Sequence, residues 1–187
     1  MTKSTKIILI IALIGVFVVA YVATAYNRFI ALDQDVLSKW SQVDNQLQRR
    51  YDLIPNLVET VKGVTKQENS VFGELAEARS RYAGAKTLTD QTNAANQIEG
   101  SLARLLVITE NYPQLKSSES FNNLMTQLEG TENRISVARK DYNDSVQTLN
   151  TSINRFPSNI IASLFGIQTQ PYFKAEDSVK ANPPVKF

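Results

Sequence analysis

Apolar residues recur through the first half of this chain at alternating steps of three and four. One register runs through Trp40, Leu47, Ile54, Val61, Glu68, Leu75 and Tyr82, the other through Val36, Val43, Arg50, Leu57, Val64, Val71 and Ala78; twelve of these fourteen positions are apolar or aromatic. A mean step of about 3.5 residues keeps one narrow face of a long helix against neighbouring helices, whereas a strand needs a period of two. The stripe therefore predicts a helix whose seam is core.

Upstream the pattern changes from amphipathic to uniformly apolar. Ile7 to Ala25 is a run of nineteen residues without charge, preceded by Lys3 and Lys6 and followed by Arg28. That length suits a membrane span better than the shorter apolar core of a cleaved signal peptide, although Ala23-Thr24-Ala25 has the small-x-small form of a cleavage site. Tyr21, Tyr26 and Phe29 stand where an aromatic belt meets the outer interface. The compact basic N-terminus tips the orientation towards a cytoplasmic start and an extracytoplasmic bundle, by a narrow margin over Arg28 and Lys39.

No glycine or proline interrupts the chain between Gly15 and Pro55, so the span is expected to run into the first soluble helix without a linker. If Pro55 only kinks the helix, the rod from Ile7 to Tyr82 is about 110 Å long at about 1.5 Å per residue. The seam keeps its phase through Pro55, which favours the kink. A break at Pro55, with proline as first residue of a new helix, would give segments of more nearly matched length.

Gly84 and the threonines of Ala83 to Thr89 read as a loop. A second helix follows from Asp90 to Tyr112, with Ala95, Ile98, Leu102, Leu105, Thr109 and Tyr112 spaced by three and four, and Pro113 closes it. The short connection from Pro113 to Ser118 returns a third helix antiparallel, with Phe121, Leu128, Ile135, Tyr142, Leu149 and Phe156 at intervals of seven. Ser158 or Asn159 can cap a short apolar helix through Phe165 that Gly166 terminates. The tail, with Pro171, Pro183 and Pro184, is expected extended and packed near Tyr172 and Phe173. The fold class is all-α: an N-terminal transmembrane helix continuous with a long helix of an antiparallel three- to four-helix bundle. The expected organisation is 1–27 for the basic segment and span, 28–167 for the bundle and 168–187 for the tail.

Composition narrows the function more than it names it. The 187 residues carry 20 basic and 18 acidic side chains, interspersed, so no basic stripe suits a phosphate backbone and nucleic acid is not an expected partner. Cysteine and histidine are both missing. Thiolate metal sites, iron–sulfur clusters, cysteine nucleophiles and the commonest general base are thereby excluded, and no cofactor or metal is expected. A di-metal carboxylate bundle fails on the same ground, because its Glu-x-x-His ligand pairs need histidine. Paired carboxylates for glycoside chemistry need a cleft, and these spacings describe a packed bundle.

Charge at seam positions supplies the candidate polar sites. Arg50 and Glu68 lie about 27 Å apart along one helix and cannot pair with each other. Each needs a partner from another helix, and Glu110, Glu132, Arg134 and Arg139 are available. A register-fixing ion pair, or a long side chain whose head reaches solvent, is the favoured reading over a charge relay or ligand site. In the short apolar helix, Ile160 and Leu164 are expected to face the bundle. Ile161 and Phe165, at i and i+4, are then candidates for an outward contact.

The segment Leu47-Gln48-Arg49-Arg50-Tyr51-Asp52-Leu53-Ile54-Pro55-Asn56-Leu57-Val58, followed by Val61-Lys62-Gly63, resembles the signature of the bacterial LemA family. So do Glu110-Asn111-Tyr112-Pro113 with Leu115-Lys116, Thr131-Glu132 with Arg134-Ile135, Ala138-Arg139 with Tyr142-Asn143, Phe156-Pro157 with Asn159 and Ala162, and Tyr172-Phe173. The resemblance covers nearly the whole chain in the right order. It implies a single-span bacterial membrane protein, often encoded near a membrane metalloprotease, whose remainder is an antiparallel helical bundle. Similar proteins often carry a histidine before the glutamate that aligns with Glu68, and here that residue is Gln67, so no pH-sensing or metal role carries over.

The expected function is a non-enzymatic scaffold or adaptor in the bacterial inner membrane that self-associates or binds another membrane or envelope protein. A structural membrane-shaping protein that forms large assemblies is the alternative.

Overall fold

The computed structural model describes residues 3–63 and 69–174. These form six helices: α1 (Lys3–Lys62), α2 (Asn69–Gly84), α3 (Leu88–Thr109), α4 (Pro113–Lys116), α5 (Glu119–Asn154) and α6 (Ser158–Leu164). There is no strand among the described residues. The chain divides into two compact units, residues 1–39 with 141–170 and residues 40–140 with 171–187, and α1 and α5 each contribute to both.

The unit holding the N-terminus starts with the apolar run, whose side chains from Ile7 to Val19 are exposed all round. A helix apolar on every face suits lipid rather than a core in water, and α1 is long and apolar enough to cross a membrane. Beyond the run, Phe29 and Val36 of α1 pack with Tyr142, Val146, Leu149 and Ile153 of α5. The 4-3-4 spacing of that α5 stripe is the one a neighbouring helix needs. Ser145 donates to Asp35 across the antiparallel pair. The seam expected to end at Phe156 instead ends at Ile153, because α5 stops at Asn154 and leaves Phe156 75% exposed.

The second unit is an antiparallel array of four longer helical segments, residues 40–62 of α1, then α2, α3, and residues 119–140 of α5, with the short α4 between the last two. Pro55 lies inside α1, so the proline is accommodated rather than used as a helix start. The rod does not continue to Tyr82. α1 ends at Lys62, beside Gly63, and α2 returns along it, as the stacking of Tyr82 on Tyr51 and of Lys62 over Phe72 requires. Folding back lets the two halves of one seam bury each other, which a single rod cannot do. Val64 of the seam lies outside the described residues.

The remaining elements follow the sequence more closely. α3 buries Ala95, Ile98, Leu102, Leu105 and Thr109 against its neighbours, while Tyr112 stands beyond the helix end, half-buried. The short connection is one turn of helix, α4, with Pro113 at its start and Leu115 buried. α6 begins without a side-chain cap hydrogen bond; Pro157 occupies the cap position, and the Asn159 side chain accepts from the neighbouring amide of Ile160. Its end is a Schellman closure. Gly166 takes φ 68°, the Ile167 amide donates to the Ala162 carbonyl at 2.9 Å, and that of Gly166 donates to Ser163 at 3.3 Å. The segment from Gln168 to Lys174 has no regular structure and buries Phe173.

Candidate functional site: a charged layer inside the bundle

Most of the buried charge gathers in the four-helix unit. Arg50 on α1 is 9% exposed and reaches Glu132 on α5 at 2.7 Å. Arg139 on α5 donates to Glu99 on α3 at 3.0 Å, and its guanidinium lies 4.4 Å from the centre of the Phe173 ring. Phe173 in turn packs on Trp40, with ring centres 6.1 Å apart. The Asn96 amide holds this last stretch down by donating to the Lys174 carbonyl at 3.0 Å.

Two tyrosines complete the layer. Tyr51 and Tyr82 meet edge to face with ring centres 4.5 Å apart, and the Tyr82 hydroxyl donates to Asp44. The Tyr51 hydroxyl is buried with no hydrogen-bond partner among the described residues. Burial pushes its phenol pKa well above the usual range; the Arg50 and Arg139 cations pull it back, and Asp44 and Glu99 add to the rise. Tyr82 is pushed up by burial first and then by its hydrogen bond to Asp44. Both phenols are therefore neutral near neutral pH. Neither is a base.

Of the charged residues picked out in the sequence, the fold brings together Arg50 with Glu132, and Arg139 with a partner the pattern did not suggest, Glu99. Glu110 stays apart, exposed at the C-terminal end of α3, and Arg134 is exposed on α5. Glu68 lies outside the described residues. Tyr82 closes one register of the seam, but Asp44, Tyr51 and Glu99 lie outside a seam with two positions per heptad. Each segment of a four-helix array buries a wider stripe, and Tyr51, one turn from both Leu47 and Ile54, is the signal that such a stripe supplies.

The short helix is turned the other way from expectation. Ile161 is buried at 5% exposure, whereas Ile160 and Leu164 are 60% and 75% exposed. Ile161 and Ala162 close the apolar contact, so Ile161 is a core residue and not an outward contact. Phe165 is half exposed, its ring 4.9 Å from that of Tyr26.

Chemically, this arrangement closes on itself. Each cation of the layer meets one carboxylate, the third carboxylate, Asp44, accepts from Tyr82, and no group of three or more acidic side chains that could hold a metal ion occurs among the described residues. A cleft of about 300 Å³ between α2 and α3 is also lined by paired charges, Arg104 with Glu74 at 2.9 Å and Arg81 with Glu77 at 2.6 Å. An internally paired charged layer in a tightly packed bundle fixes which helices meet and in what register.

The fold thus defines a class: an all-helical protein whose N-terminal helix, long and apolar enough to cross a membrane, leads into an antiparallel bundle. Within that class the chain belongs to the LemA family, which it matches over residues 39–187. Relatives include magnetosome protein MamQ 2 of Paramagnetospirillum magneticum, 27% identical over 84% of this chain and 68% of the relative. Magnetosome protein MamQ of Magnetospirillum gryphiswaldense is 26% identical over 88% of this chain and 71% of its own length. Protein LemA of Metamycoplasma hominis is 22% identical over 91% of this chain and 78% of its own. The N-terminal apolar helix and these relatives fit a single-pass membrane protein.

Proposed function

We propose that the protein is a non-enzymatic scaffold or adaptor anchored in the bacterial inner membrane by α1, presenting its bundle to further copies of itself or to other membrane or envelope proteins. The observation that carries this reading is the pairing of the layer's charges: Arg50 is taken by Glu132 and Arg139 by Glu99, each across two helices of the bundle. What the bundle then offers a partner is its outer surface. A membrane metalloprotease is one partner class that the family resemblance brings in. The bundle stands on the extracytoplasmic side; the chain lacks cysteine, so Ser80→Cys, at an exposed position of α2, should be labelled by an impermeant maleimide in intact cells or spheroplasts.

A second reading, a membrane-shaping protein built into large assemblies, is favoured by relatives named for the magnetosome. Gentle detergent extraction followed by mass measurement separates the two. Small species co-extracting with envelope proteins support the adaptor, and large homogeneous assemblies support the shaping role. A bare monomer without co-extracting partners contradicts both.

A further inference from the structure

α6 lies at the foot of the N-terminal unit, where the helix that leaves the membrane meets the last turns of α5. The uncharged run ends at Ala25, and its nineteen residues span about 28 Å at about 1.5 Å per residue, close to the thickness of a bilayer core. Tyr26 therefore stands at the interface, and Phe165 is stacked on it. A cleft of about 220 Å³ brings Tyr21, Thr24 and Arg28 of α1 beside Ser152, Arg155 and Ser158, which puts the end of α5 at the same depth. From there the chain climbs away. The Gln170 amide donates to Asn150 at 2.9 Å, and its side chain donates to Asp33, about 10 Å beyond Tyr26 along α1. The turn from Arg155 to Ile167 is thus the part of this unit, outside the span itself, that comes nearest the bilayer.

That turn carries more apolar surface than it buries. Ile161 and Ala162 satisfy its packing, yet Phe156 and Leu164 are each 75% exposed, Ile160 60% and Phe165 48%. Ile160 and Leu164, at i and i+4, share one face. The charge around them has one sign: no acidic residue occurs between Met1 and Asp33 or between Asp144 and Glu176, whereas Arg28 and Arg155 flank the cleft. Neither arginine is ion-paired among the described residues. Exposed aliphatic and aromatic side chains with arginines at headgroup depth match what an interfacial helix needs from lipid: acyl chains for the apolar face and phosphates for the cations.

The geometry points to α6 as a membrane-surface foot, with Phe156, Ile160 and Leu164 seated in the headgroup–acyl boundary of the bilayer that α1 crosses. This rests on the reading of Ile7 to Ala25 as a span. The exposed apolar surface of the turn is continuous in depth with that of the span, which is why lipid is the occupant the structure favours over a partner protein. Seating of this kind fixes the tilt of α1 and holds the base of the unit against the membrane, a constraint that a single spanning helix lacks.

The test uses full-length protein in phosphatidylethanolamine–phosphatidylglycerol vesicles. Spin labels are placed at Leu164→Cys and, separately, Ile160→Cys, with Phe17→Cys as the lipid reference and Val137→Cys as the aqueous one. All four native side chains are exposed, and circular dichroism checks that helicity is kept. Seating a few ångströms into the interface should raise the ratio of oxygen to nickel-chelate accessibility at positions 160 and 164 on the order of threefold above the Val137→Cys value. Ratios equal to that of Val137→Cys, with Phe17→Cys still reading as lipid, overturn the foot while leaving the span intact. Low accessibility to both reagents overturns it in favour of a covering protein. If Phe17→Cys also reads as aqueous, the span reading fails and the foot with it.

Discussion

Arg50 of α1 and Glu132 of α5 meet at 2.7 Å, but the pair is unequal: the arginine side chain is 11% exposed and the glutamate 41%. The cation is thus fixed in the interior while its counter-ion reaches in from the rim, with the oxygen that meets Arg50 buried. Such a pair specifies which face of α5 meets α1 more than it adds net stability.

Removing only the glutamate should therefore cost more than replacing the arginine with a hydrophobe. Glu132→Ala leaves an uncompensated interior cation, and a loss of about 1–3 kcal/mol is expected, between the values for exposed and buried pairs. Arg50→Met keeps the stem's packing and should cost less than Arg50→Ala. Chemical-denaturation midpoints of the detergent-solubilised full chain give the order; Arg50→Ala better tolerated than Arg50→Met would show that the packing of the stem is not what the position needs.

Tyr51 and Tyr82, two of the three buried tyrosines, predict an alkaline weakness. Their phenol pKa values are raised above the ordinary 10.0, so ionisation favours the unfolded chain. The associated stability is fully present below pH 10 and is lost as pH rises above it. Each tyrosine contributes a slope of up to about 1.4 kcal/mol per pH unit in that window. Tyr51→Phe removes an unpartnered hydroxyl, so it should be nearly neutral at pH 7 and shallow the alkaline decline. Tyr82→Phe loses the bond to Asp44 and should cost about 1 kcal/mol at neutral pH. Unfolding followed at pH 7 and from pH 10 to 12 separates the two effects.

Phe173 closes the layer from outside the helices. Phe173→Ala uncovers Trp40 and the Arg139 guanidinium and should destabilise by about 3 kcal/mol, whereas its exposed neighbour, changed Tyr172→Ala, should cost under about 0.5 kcal/mol. Tryptophan emission reports the difference locally, since Trp40 is the one tryptophan and should shift to the red only in the first variant.

Much of this architecture was legible because it is periodic. Trp40, Val43, Leu47, Ile54, Leu57 and Val61 are all buried where a seam with two positions per heptad puts them, as are Leu128, Ile135, Tyr142 and Leu149. Periodicity is silent about where a helix stops when both halves keep phase. The reversal after Lys62 left the register unbroken and so could not be seen in it. α6 is ambiguous for a related reason: four apolar residues in a short segment fit either rotation, and the one adopted brings the Phe165 ring against Tyr26, a residue far away in sequence that no local pattern points to. The partners of the buried charges were half visible. Arg50 stood out because it interrupts an apolar seam, but Glu99 and Asp44 lie outside the two heptad positions and look like solvent-facing residues until four helices are placed together.

On the proposed function, the outer face of the bundle, not its interior, meets another protein. Photocrosslinking in native membranes tests this, from an amino-acid crosslinker at Val107, an apolar residue 63% exposed on α3, or at Ser80, an exposed position of α2. Discrete adducts are expected from at least one of the two sites, with a second copy of the chain or with a defined membrane or envelope protein, and none from the buried Leu105. Absence of any protein adduct from both exposed sites, in membranes where the extracted protein is folded, would contradict the proposed function.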